Sequence, residues 1–319
     1  MRSTRDRRRF LRVAAGAASA WPLAAAGAAA ADGGPPPRKP LTIGISTLGF
    51  GEFTNQQLAE ELAAHGLRTV QLFLNQSDSR YWKYNGRSDV SSLTADRCRA
   101  IAEAYRAAGV TIHSLGVYTN LVHADAAERQ ANLNYFEAMM RVAGAMGVRK
   151  LVTEAGHYEP PGAASALAYH FQPEVWKTMV ATGKELARRA EAHGATVLME
   201  PFFGGFLASA KRTRRFLEEV DSPRLRALLD PANLLEVNDL QEMFGQLAPW
   251  VECLHAKDRK LHVDRGVPAG QGDLDYQEFV ALAAERTPAA PLILEYVGPK
   301  DYQQALAHLK DAMRAAGLL

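Results

Sequence analysis

From Leu41 onward, eight short β-branched or apolar runs recur, each separated from the next by a longer amphipathic segment. They are LTIGIST (Leu41 to Thr47), TVQLFL (Thr69 to Leu74), TIHSLGV (Thr111 to Val117), KLVTEA (Lys150 to Ala155), TVLMEP (Thr196 to Pro201), LRALLD (Leu225 to Asp230), VECLHAK (Val251 to Lys257) and PLILEYV (Pro291 to Val297). The stretches between them, such as QQLAEELAAHG and ADRCRAIAEAYRAAG, have helical spacing, and several close on a glycine, at Gly66, Gly109, Gly147 and Gly194, as helix C-termini do. Strands joined by helical crossovers pair in parallel, because each crossover returns the chain to the same end of the sheet. Eight such units predict an α/β fold, a (β/α)8 barrel occupying residues 41–319. The alternative, an open doubly wound sheet, would place a glycine-rich phosphate loop after the first strand, and none is there.

The segment before Leu41 has a different character. A basic head leads into an alanine- and glycine-rich run and then into small residues suited to cleavage near Ala28 to Ala30. Its core RRRFLR, Arg7 to Arg12, has the form of a twin-arginine export signal. Residues 1–31 are therefore predicted to be a signal peptide, handled by the twin-arginine export machinery and implying a periplasmic or exported destination. Residues 32–40, DGGPPPRKP, read as a linker. A membrane anchor is the competing reading, since Val13 to Ala31 is long enough to span but consists mostly of alanine and glycine.

The signal also accounts for the basic balance. Residues 1–30 carry six arginines and one aspartate, net +5, against +2 for the whole chain, which leaves −3 for the remainder. A mildly acidic body offers no footprint for a phosphate backbone, so nucleic acid is not an expected partner. Cys98 and Cys253 are the only cysteines, and nothing in their placement argues for a disulfide.

In a barrel of this kind the reactive face lies at the carboxyl ends of the strands. Strand five ends in Glu200, strand six in Asp230, strand seven carries His255 and strand eight carries Glu295. A single carboxylate there is ordinarily a helix cap; Asp230, before Pro231, has that option. Four potential ligands on four consecutive strands form a different pattern, because neighbouring strands lie only about 4.8 Å apart. Isolated, such groups are costly to bury, whereas around one divalent cation they compensate one another. Three carboxylates and one imidazole suit Mn²⁺ best, with Co²⁺ or Zn²⁺ also accommodated.

The motifs MEPF with Glu200, LLDPANLL with Asp230, CLHAKD with His255, GQGDLDY from Gly270 to Tyr276, and LILEY with Glu295 occur here in one order. With them the chain resembles the xylose isomerase-like TIM barrels, the sugar phosphate isomerase/epimerase family, from Leu41 to Leu319. That resemblance implies that Glu200, Asp230, His255 and Glu295 hold one divalent metal, and that Glu200 and Glu295 also exchange protons with the substrate. The HAKD form is similar to that of inosose dehydratases and implies a proton donor at Lys257, which on a strand would point the same way as His255. Three positions depart from the ketose 3-epimerase pattern. A glutamate six after the first metal glutamate is Phe206, a histidine three after the metal aspartate is Asn233, and an arginine six after the metal histidine is Leu261.

His113, Glu154, His157 and Asn233 are the further candidates for contacting substrate, with Trp82, Tyr84 and Tyr118 available to offer apolar faces to a sugar ring. The expected activity is isomerisation or epimerisation of a neutral keto sugar or related polyol, by proton abstraction next to a carbonyl. Two alternatives stay open at this point: a lyase or dehydratase acting on 3-keto-glycosides or keto-inositols through the same site, and a noncatalytic periplasmic sugar-binding barrel. The loops after strands two and four would shape specificity or a subunit contact in a homo-oligomer.

Overall fold

The computed structural model describes residues 41–319; the signal peptide and linker expected from the sequence lie outside the described residues. The strands are β1 (Ile43–Ser46), β2 (Thr69–Leu72), β3 (Thr111–Gly116), β4 (Lys150–Thr153), β5 (Thr196–Met199), β6 (Leu225–Leu229), β7 (Val251–Ala256), β8 (Asp258–Lys260), β9 (Asp264–Val267) and β10 (Leu292–Leu294). Eight of them close into a barrel in the order β1-β10-β7-β6-β5-β4-β3-β2, with parallel neighbours throughout. All eight expected strands are present. The remaining two, β8 and β9, pair as an antiparallel hairpin that the sequence reading did not anticipate.

The helices begin where short polar side chains satisfy their free N–H groups. Thr54, Thr94, Asp125, Ser209, Asp239 and Asp275 each accept a backbone N–H in the first turn that follows. Among the described residues no helix is long and apolar enough to cross a membrane. Cys98 and Cys253 are both buried and free.

Side chains on a strand alternate between its two faces, and the barrel interior is consequently built in layers. One apolar layer contains Val152, Leu198, Leu228, Cys253 and Ile293, from five consecutive strands of the ring. Two residues further along the same five strands come Glu154, Glu200, Asp230, His255 and Glu295. The polar groups thus share one face with an apolar plug and stand above it, at the carboxyl mouth.

Neighbouring strands show why the plug closes tightly. A Cβ at Gly116 would lie 2.4 Å from the Phe73 ring, which occupies the space a side chain on β3 would take. Phe73 in turn stacks on Tyr118, ring centroids 5.8 Å apart.

One carboxylate at the start of the hairpin gathers the segment that follows it. Asp258 accepts the backbone N–H groups of Arg259 (2.8 Å), Gly270 (3.2 Å), Gly272 (2.9 Å) and Leu274 (3.0 Å). At Gly272 a Cβ would lie 2.4 Å from Asp258 Oδ1, so the second glycine of GQGDLDY is needed for the chain to wrap the carboxylate. Asp258→Ala strands four donors and is expected to lower stability by about 3–5 kcal/mol in urea unfolding. A loss below about 1 kcal/mol would mean that water replaces the carboxylate.

Candidate active site

Glu200, Asp230, His255 and Glu295 converge: each offers one ligand atom, and these atoms lie within 4.8 Å of one another. From His255 Nδ1 the distances are 3.3 Å to Glu200 Oε1, 3.4 Å to Glu295 Oε2 and 3.7 Å to Asp230 Oδ2. His255 Nε2 lies 2.6 Å from Gln71 Oε1. An amide oxygen only accepts, so this contact places a proton on Nε2 and turns Nδ1 toward the carboxylates. Burial opposes the imidazolium, but the Glu295 and Glu200 charges outweigh it and raise its pKa well above the ordinary range, so without an ion the ring is cationic. Gln71 is a polar residue inside an apolar run, the same signal that marked the four candidates, and it passed unread.

The donor set fits a divalent cation. Asp230 Oδ2, His255 Nδ1 and Glu295 Oε2 are buried without an aligned hydrogen-bond partner. Three carboxylates and one imidazole nitrogen are the combination that a Mn²⁺-class ion accepts. Glu200 is braced independently: Tyr118 donates its hydroxyl to Oε2, and Asn233 Nδ2 donates to Oε1 at 2.9 Å. Burial and the Glu200 charge raise the Tyr118 phenol well above its ordinary range, so it remains a neutral donor.

Lys257 stands one layer further out. Its Nζ lies 2.8 Å from Asp230 Oδ2, an ion pair by distance though out of line for a hydrogen bond, and 3.5 Å from Glu295 Oε2. It donates to Asn233 Oδ1 at 2.9 Å. The pattern of charge sets the titrations. Burial opposes the Lys257 ammonium, but Asp230, Glu295 and Glu200 outweigh it and raise its pKa. For Asp230, burial acts upward while Lys257 and His255 hold the carboxyl below its ordinary value. For Glu295, burial dominates and the pKa is raised.

Above these groups opens a cavity of about 540 Å³. Glu154, His157, Asn233, Lys257, Glu200 and Glu295 line it, with Trp82, Tyr84 and Tyr118. Asn233 serves less as a free substrate contact than as a strut, since its amide is committed to Glu200 and Lys257. His113 does not reach the cavity. It sits near the charges of Lys150 and Glu252, which pair at 3.0 Å, and Lys150 precedes Val152 of the apolar layer by two residues. The histidine therefore lies below the plug, at the amino end of the barrel, and the expectation that it meets substrate is corrected.

Phe206 is fully buried and stacks on Trp176, ring centroids 5.8 Å apart. The glutamate position of the ketose 3-epimerase pattern is here core packing. Phe73, Phe202, Arg265 and Tyr296 also line the cavity and were missed. Arg265 comes from the hairpin, for which the sequence carried no periodic signal.

Glu154 is pushed up to about 7 from 4.5 by burial and by the Glu200 charge, against the hydrogen bond it accepts from Tyr84 at 2.8 Å. A raised carboxyl stabilises the fold fully below its unfolded value and loses that contribution as pH rises through the folded one. Glu154→Gln should therefore gain stability relative to the unaltered protein between pH 4.5 and about 7 in thermal melts. Parallel melting curves across that window would refute the shift.

The family model described as Xylose isomerase-like TIM barrel matches residues 59–312. The chain belongs to that family. No curated protein matches the sequence. Among solved structures, it is similar to a D-tagatose 3-epimerase-like protein, with TM-score 0.72 and 16% identity over 87% of this chain and 98% of that one. A xylose isomerase domain protein from Planctomyces limnophilus gives TM-score 0.67 and 19% identity over 89% and 100%. The 3-keto-D-glucoside 4-epimerase YcjR from E. coli gives 0.65 and 15% over 88% and 100%. At these identities the likeness is one of fold.

Proposed function

We propose that this protein is a divalent-metal-dependent isomerase or epimerase of a neutral keto sugar or related polyol. The observation that carries the reading is a division within the ligand cluster. Asp230 and His255 are fully buried and absent from the cavity surface, whereas Glu200 and Glu295 both line it. Two carboxylates thus have access to substrate, and two groups are confined to holding the ion. They come from strand ends separated in the ring by β6 and β7, so they approach a bound molecule from different sides.

Glu200, Asp230, His255 and Glu295 would hold the cation, which when bound supplies a Lewis acid for the substrate carbonyl and for the negative charge that proton removal creates beside it. One of the two glutamates takes the proton on the carbon next to the carbonyl. Its counterpart returns a proton to the other face, inverting the centre; return to the neighbouring carbon instead exchanges aldose and ketose. Asn233 and Tyr118 fix the Glu200 carboxylate so that it does not rotate between turnovers. Lys257 presents an ammonium beside the same oxygens and can donate to a substrate hydroxyl.

The fold likeness to a 3-keto-D-glucoside 4-epimerase and to a D-tagatose 3-epimerase-like protein supports the sugar class. The basic head at Arg7 to Arg12 supports export through the twin-arginine pathway, where free sugars and glycosides are met rather than phosphorylated ones. The test is incubation of manganese-loaded protein with keto sugars and keto-inositols in D₂O. Solvent deuterium is expected at the carbon next to the carbonyl with substrate mass otherwise conserved. Loss of water or an aglycone would indicate elimination, and no exchange with any substrate would indicate a binding protein.

A further inference from the structure

Four non-glycine residues among those described have a positive φ: Asn85, Asp221, His262 and Tyr296. Asn, Asp and His are the types that tolerate the left-handed region, and Asp221 closes a helix there. Tyr296, at φ 56°, is the bulky exception. Such strain persists where the surroundings impose it, and it collects at ligand sites. Burial does not compensate for it, because the side chain is 55% exposed.

The ring rests against the hairpin. A Cβ at Gly266 on β9 would lie 2.4 Å from Tyr296 Cε1, so the bare backbone there forms a seat for the ring. Lys257 Nζ lies 4.5 Å from the ring centroid on the way to the metal ligands. Directly preceded by Glu295, the ring lines the same cavity as that carboxylate. More aromatic rings line the cavity from the β2 and β3 side: Phe73 with Trp82 at 5.5 Å, Trp82 with Tyr84 at 6.4 Å, and Tyr84 with Tyr118 at 6.2 Å between centroids. Flat aromatic faces match the C–H face of a closed sugar or cyclitol ring, whereas an extended ketose presents hydroxyls on every side.

We propose that Tyr296 is a substrate-binding residue that stacks on a ring-closed keto sugar, such as a keto-glycoside or keto-inositol, in preference to an open-chain ketose. The inference rests on the keto-sugar reading of the site and narrows its substrate class.

The test compares Tyr296→Gly and Tyr296→Phe with the unaltered protein, all loaded with manganese, by calorimetric binding of methyl 3-keto-glucoside and of erythrulose, a ketose too short to close a five- or six-membered ring, and by thermal melting. Tyr296→Gly removes the ring and the φ strain together. Its melting temperature should stay within about 2 °C of the unaltered protein, while its Kd for the keto-glucoside rises about tenfold. Tyr296→Phe keeps the face and should bind within about twofold of the original. A clear fall in melting temperature with unchanged Kd would make Tyr296 a structural residue and overturn the proposal. Preference of the unaltered protein for erythrulose, or failure to bind either sugar, would also overturn it. Binding without deuterium exchange would instead refute the isomerase reading and leave the assignment of Tyr296 standing.

Discussion

If the proposed activity holds, Glu295→Gln should lower kcat for epimerisation by about 10³-fold while the barrel stays folded. The substitution is isosteric and Glu295 Oε2 has no aligned donor to lose, so no hydrogen bond of the fold is broken; because the change also replaces one candidate ligand of the cation, kcat is compared with Mn²⁺ in saturating excess. Glu200→Gln should cost at least as much, because Asn233 Nδ2 and the Tyr118 hydroxyl both donate to that carboxylate and an amide would set a donor against one of them. The sharper readout is isotopic. With one glutamate serving each face, a protein lacking Glu295 still takes the proton from the epimer that Glu200 serves. It should therefore wash solvent deuterium into one epimer and not the other, with the reverse asymmetry in the Glu200 variant. Symmetric exchange in both variants would show that neither glutamate is the base.

Lys257→Met destabilises the metal-free protein by about 3–5 kcal/mol, roughly 6–12 °C in melting temperature, and added Mn²⁺ recovers most of it. The lysine is 3% exposed and lies within 3.5 Å of both Asp230 and Glu295. Removing it leaves three carboxylates at the barrel mouth with His255 as the nearby cationic group. Breaking a buried ion pair is expensive because the surviving charge stays buried. A divalent cation supplies the missing positive charge, so the melting temperature of the variant should respond to Mn²⁺ more steeply than that of the unaltered protein. Equal melting in EDTA and in Mn²⁺ would exclude the cluster as a cation site. A small loss in EDTA would mean that one carboxylate takes up a proton when the lysine is gone.

The candidate site was legible where chemistry departs from packing. A strand buried on both faces reads as a continuous apolar run, and Glu154, Glu200, Asp230, His255 and Glu295 each interrupt one near its carboxyl end. His113 interrupts its run in the same way but near the amino end, beside Lys150, and that difference of a few residues separates the cavity from the barrel floor. The hairpin was not legible, because DRK and DRGV are polar and short; it is held by the carboxylates of Asp258, Glu236 and Asp273 rather than by a broad apolar face. Tyr296 was hidden for another reason: a backbone in the left-handed region leaves no trace in the residue type that adopts it.

The amino-acid order alone determined that the chain would form a closed ring of eight parallel strands with four candidate ligands at one rim, because period and alternation are local properties that burial enforces. Only the tertiary structure decided that Asp230 and His255 are sealed from the cavity while Glu200 and Glu295 open onto it, that Asn233 is a strut, and that Arg265 and Tyr296 reach the pocket. Those outcomes depend on which side chains occupy a shared point in space, and groups as far apart along the chain as Glu200 and Glu295 carry no local record of that competition.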